Sequence, residues 1–109
     1  QMTVSSTFNG KKLGSNIFGF SKLPNVATAE IAQADQYPNI RLFTVGQNTV
    51  SSTPLPNFAT IVQGWQIASN GTVGGKPWTY FSSLCWFYGK KIHLKYGIPI
   101  GLVSTNWGG

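Results

Sequence analysis

The stretch Ile98-Pro99-Ile100-Gly101-Leu102-Val103-Ser104-Thr105-Asn106-Trp107-Gly108-Gly109 decides the reading of this chain. Ile98 to Val103 is short, rich in β-branched residues and preceded by a Gly-x-Pro punctuation, so it reads as a buried strand. A small-polar stretch, a tryptophan and two glycines come next. Glycines just past the carboxyl end of such a strand let the backbone approach a ligand closely. Ligands of α/β sheets sit at that edge. The expectation is a chain that stops in the middle of a binding site.

Working upstream, Thr79 to Lys95 is the clearest helix. Phe81, Leu84, Cys85, Tyr88 and Ile92 fall at helical spacing and predict one buried apolar face, widened by Trp86 and Phe87. Lys90, Lys91, His93 and Lys95 gather in its last turns, where cations complement the helix dipole, and Gly97 suits the stop. Ile40 to Val45, Ile-Arg-Leu-Phe-Thr-Val, reads as a second strand. Strand, helix and strand in this order predict a parallel α/β sheet.

The remaining segments are quieter. Residues 5–26 read as mainly loop. Ala27 to Gln36 holds good helix formers, with Asn25 or Thr28 as cap, and Pro38 stops it. Residues 46–59 read as loop, Thr60 to Ala68 as a short extended segment interrupted by Gly64, and Asn70 to Pro77 as a turn-rich loop.

The chain has 109 residues, enough for one domain or part of one. Eight Lys and Arg against two Asp and Glu give a formal charge of +6. The positives are dispersed singly or in pairs, which fits a solvated surface and argues against a nucleic-acid partner. The single cysteine, Cys85, has no partner for an internal disulfide and reads as a small buried hydrophobe. No apolar run approaches the ~18 residues of a membrane span, so no membrane insertion is expected. One glycosylation sequon is present, Asn70-Gly71-Thr72.

A self-contained active site is missing. Acid–base and metal chemistry draw on His, Cys, Asp and Glu. This chain offers His93, Cys85, Asp35 and Glu30 alone, with no pair at metal-ligand spacing. Efficient catalysis by these residues by themselves is not expected.

Several segments resemble one family in its own order. Gln1-Met2-Thr3-Val4 resembles the residues directly after that family's Gly-Gln-Ser-Asn-Met motif, and Pro38-Asn39-Ile40-Arg41-Leu42-Phe43 resembles a core strand. Trp65-Gln66 and Phe81-Ser82-Ser83-Leu84-Cys85-Trp86-Phe87-Tyr88-Gly89 resemble the approach to the last strand, and Ile98 to Gly109 resembles that strand and its end. The family is the sialate O-acetylesterases, a branch of the SGNH hydrolases.

The resemblance implies an α/β, SGNH-hydrolase-like three-layer fold with a mainly parallel sheet. It implies that residues 1–109 are part of one esterase domain, truncated at both ends and incomplete in this chain. The nucleophilic Ser would lie just before Gln1, and the Asp-x-x-His carrying the base would lie beyond Gly109. The chain would supply the oxyanion hole through the backbone N–H of Gly108, with Gly109 second. Trp107 would wall the pocket or pack under the sheet. Asn106 and Ser104 are candidate contacts to sugar hydroxyls, and Gln1 would sit near the site. Read without the resemblance, the Gly108-Gly109 pair is a tight turn that ends the strand.

The implied activity is removal of O-acetyl groups from sialic acid or related glycans by a serine carboxylic-ester hydrolase. No cofactor and no metal are implied, and the partner is the O-acetylated glycan. A lysosomal or extracellular location is implied by the resemblance and matched by the sequon at Asn70. The alternative is a non-catalytic carbohydrate-binding or structural paralogue that lacks the nucleophile.

Overall fold

The computed structural model describes residues 26–46, 50–74 and 81–105. Helix α1 spans Val26–Gln33 and tightens into a 3₁₀ turn at Ala34–Gln36. Strand β1 (Ile40–Val45), strand β2 (Ile61–Ile67), the short helix α2 (Asn70–Gly74), helix α3 (Ser83–Tyr96) and strand β3 (Ile100–Ser104) come after it. Asn25 and residues 79–80 lie outside the described residues. Thr28 is inside α1 and so does not cap it.

The sheet is ordered β2-β1-β3, with β1 in the middle. β1 and β3 run parallel, pairing Ile40 with Ile100 and Thr44 with Ser104. β1 and β2 run antiparallel. The described sheet is therefore mixed, not mainly parallel. The cause is the connection between β1 and β2. It holds no helix among the described residues, and a parallel return needs a crossover of a dozen residues or more, usually helical. Gly64 does not interrupt β2. The register passes from Leu42↔Gln66 to Thr44↔Gln63, so Gly64 and Trp65 together oppose Phe43 and form a bulge.

α3 starts at Ser83, later than the expected Thr79, because Ser82 caps it there, and it stops at Gly97 as its sequence predicts. The Ser82 hydroxyl accepts from the Cys85 N–H at 3.4 Å, and Gly97 ends the helix in the left-handed region at φ 67°. The Gly97 N–H then donates to the His93 carbonyl at 2.8 Å. The buried face differs from the expected one. Leu84 is 61% and Tyr88 68% exposed, whereas Ser83, Trp86 and Gly89 are buried. Phe81 is buried but precedes the helix. Small residues decide this orientation. A Cβ on Gly89 would lie 2.5 Å from a Leu102 methyl, so only a residue without a side chain lets α3 come this close to β3.

β3 also departs from its expected burial. Leu102 and Ser104 are buried, while Ile98, Gly101 and Val103 are exposed. Among the described residues β3 has one neighbour in the sheet, β1, and α3 covers one of its faces. The other face of the sheet carries Phe43, Trp65 and Val103. Trp65 packs on Phe43 at 5.4 Å between ring centroids and reaches over Gly101. Among the described residues no helix covers that face, so they make up two layers.

Residues 70–74 form a short helix where a loop is expected. Ser69 and Thr72 exchange bonds. The Ser69 N–H donates to Thr72 Oγ1 at 2.7 Å, and the Thr72 N–H donates to Ser69 Oγ at 3.2 Å, a reciprocal cap. Asp35 secures the same turn by accepting the Asn70 N–H at 2.9 Å.

The core gathers Ala34, Ile40, Leu42, Ala68, Val73, Phe81, Trp86 and Leu102. A buried polar tie crosses it. Trp86 Nε1–H donates to Glu30 Oε1 at 2.8 Å, and the Lys90 ammonium pairs with the same oxygen. Lys90 Nζ also sits 5.3 Å from the centre of the Tyr37 ring, which meets Trp86 edge-on. Trp86 and Lys90 are one helical turn apart, so both face α1.

Candidate functional site

The parallel pairing of β1 and β3 points both carboxyl ends the same way. Thr44 and Ser104 are register partners there, and Thr44 is also opposite Gln63 on β2. Directly opposed residues share a face, so Gln63, Thr44 and Ser104 form a polar row across all three strands. Thr44 Oγ1 and Gln63 Nε2 are buried without a hydrogen-bond partner. A buried polar group left unpaired is costly, which makes this row notable at the sheet end where ligands of α/β folds bind. Sequence reading missed it, because Thr44 and Gln63 look like ordinary strand residues until the register is known.

Beside the row, the connection from β1 to β2 forms a concavity of about 560 Å³. Val45, Gly46, Ser51, Pro56, Phe58 and Thr60 line it. Gly46 is required at its base. A Cβ there would lie 2.1 Å from Thr60 Oγ1, and the Gly46 N–H donates to the Thr60 carbonyl at 2.8 Å.

Gln1, Asn106, Trp107, Gly108 and Gly109 lie outside the described residues. The description reaches Thr105, directly after β3, and so leads toward the last four. Ser104 is buried and already engaged, which departs from its reading as an open contact to a sugar.

The other titratable groups hold structure together. The His93 Nδ1–H donates to the Ile98 carbonyl at 2.6 Å, fastening the turn after α3. Asp35 serves α2 and Glu30 serves Trp86 and Lys90. His93 and Asp35 thus have separate partners. Burial pushes the Cys85 thiol up from its ordinary value, which keeps it a poor nucleophile. Among the described residues no three of His, Cys, Asp and Glu gather into a metal-binding group, and no helix is long and apolar enough to cross a membrane.

This architecture is similar to that of a solved structure. A carbohydrate acetylesterase from Xanthomonas citri, known from its crystal structure, has a similar fold over 75% of this chain, with a TM-score of 0.63 at 24% identity. The match takes up 17% of that protein.

By sequence the likeness is narrower. All of the chain matches sialate O-acetylesterase from Mus musculus at 30% identity and its counterpart from Rattus norvegicus at 29%. These similarities support a piece of the sialate O-acetylesterase family, the one its motifs resemble. The chain spans 17% of the length of these relatives. No family model matches it.

Proposed function

We propose that this chain is the part of an O-acetyl-removing serine hydrolase that carries the oxyanion hole, acting on sialic acid or a related acetylated glycan. The observation that supports it is the similarity of all 109 residues, Gly108 and Gly109 included, to a stretch making up 17% of a sialate O-acetylesterase. β3 runs parallel to β1, and its last residue, Ser104, lies at the sheet edge where α/β folds bind ligands.

The chemistry derives from the charge that acyl transfer creates. A serine from another part of the polypeptide attacks the acetyl carbonyl, and negative charge builds on its oxygen. The backbone N–H of Gly108, seconded by Gly109, donates to that oxygen without a Cβ in the way. A His oriented by an Asp, both from elsewhere in the polypeptide, takes the serine proton and gives it to the sugar oxygen as the ester C–O bond breaks; water then hydrolyses the acetyl-serine and releases acetate. Trp107, Asn106 and Gln1 border the substrate. The remainder of the polypeptide completes the SGNH-like third layer over Phe43, Trp65 and Val103.

The test is Gly108→Val in the full-length enzyme, assayed on an O-acetylated sialic acid. Loss of one oxyanion donor lowers kcat by about 10²–10³. The far-ultraviolet circular dichroism and melting profile stay those of the parent. An unchanged kcat removes Gly108 from the site.

A further inference from the structure

We propose that Asn70 is an N-glycosylation acceptor. The triplet Asn70-Gly71-Thr72 is the acceptor pattern, with no proline in its middle. Three structural observations carry the proposal beyond the pattern. Asn70 is exposed at the first position of α2, with its backbone N–H held by Asp35. Among the described residues the space beside it is open, for a Cβ added at Gly71 would meet none of their atoms within 4 Å. The position also lies toward the opposite end of the sheet from Ser104. Asn70 comes after β2, whose last residue Ile67 pairs with Arg41 near the start of β1, whereas Ser104 pairs with Thr44 near its end. At about 3.3 Å per residue, those two ends of the sheet are roughly 10 Å apart.

The structure also fixes when the sugar is added. In the folded chain the Thr72 hydroxyl donates to the Ile67 carbonyl at 3.0 Å and accepts the Ser69 N–H. It is buried and committed to the cap, so transfer occurs on the nascent chain, before this turn closes. The Asn70 amide nitrogen attacks the anomeric carbon of a polyprenyl-pyrophosphate-linked oligosaccharide. The new C–N bond forms as the C–O bond to phosphate breaks. The polyprenyl pyrophosphate leaves with the electron pair, and the amide proton passes to a base on the transferase.

The inference is independent of the hydrolase reading, because it concerns a different end of the sheet and a different readout. The test is peptide mapping of the full-length protein from its native source, treated with peptide-N-glycosidase in ¹⁸O-water. Conversion of Asn70 to ¹⁸O-labelled aspartate is expected, and unmodified Asn70 throughout overturns the proposal. A second arm expresses Asn70→Gln and Thr72→Ser in a secreting eukaryotic host. Asn70→Gln leaves the cap intact and loses one glycan, while Thr72→Ser keeps both hydroxyl and glycan. Equal glycan content in the parent and Asn70→Gln overturns the proposal as well.

Discussion

Replacing Glu30 with alanine tests whether the buried tie between α1 and α3 holds the fold together. The Glu30 and Lys90 side chains are only 11% and 14% exposed. Without the carboxylate, the Trp86 indole N–H loses its acceptor in a fully buried position. An unsatisfied buried donor costs about 1–3 kcal/mol. The Lys90 ammonium loses its counter-ion too. Removing one partner of a fully buried pair costs about 3–5 kcal/mol, but here residual water contact and the Tyr37 ring face offset part of it. A net loss of about 2–4 kcal/mol is expected for Glu30→Ala. Glu30→Gln keeps an acceptor for the indole and loses less. The double variant Glu30→Ala with Lys90→Met recovers part of the loss, because no buried charge is left unpaired. Urea unfolding of the full-length protein, followed by tryptophan fluorescence, measures all three. A Glu30→Ala change within about 0.5 kcal/mol of the parent, the scatter of neutral surface substitutions, refutes the reasoning.

Two further outcomes rest on single residues. Gly89→Val forces a side chain into the Leu102 methyls, and overpacking of about 1–3 kcal/mol or more outweighs the small gain in helix propensity. Thermal melting reads this as a clear fall in Tm, and an unchanged Tm shows that α3 does not rest on β3 there. Burial raises the Cys85 thiol in the folded state, so its alkylation near pH 8 is slower than that of free cysteine. The same shift contributes stability that is fully present below the thiol's unfolded value and is lost as pH rises through the raised folded one. Peptide-level labelling across pH checks this, and a rate equal to free cysteine contradicts it.

Local signals were legible in the sequence. Ile-Arg-Leu-Phe-Thr-Val marked the bounds of β1, and Pro38 and Gly97 stopped the helices before them. The face of α3 was not legible, because apolar spacing weighs Leu84 and Tyr88 above Ser83 and Gly89. Close packing rewards the small residues instead. α2 was hidden for a related reason. Asn-Gly-Thr-Val-Gly has the composition of a turn, and its helix depends on the Ser69–Thr72 exchange and on Asp35, which is distant in sequence. The mixed sheet, the Glu30 tie and the Gln63–Thr44–Ser104 row are products of register and long-range pairing, which no local pattern encodes. The resemblance pointed to Gln1 and residues 106–109 for the site, and these lie outside the described residues.

The position of β1 between β2 and β3 has a consequence for synthesis on the ribosome. β2 comes soon after β1 and pairs with it almost as soon as it emerges. Ile40 pairs with Ile100, and Glu30 meets Lys90 60 residues further along. At roughly 5–20 residues per second, β1 waits about 3–12 s for its second neighbour. During that interval Leu42 has neither Leu102 beside it nor α3 above it. The strand at the centre of the sheet is therefore the one longest open to wrong partners while the chain is being made.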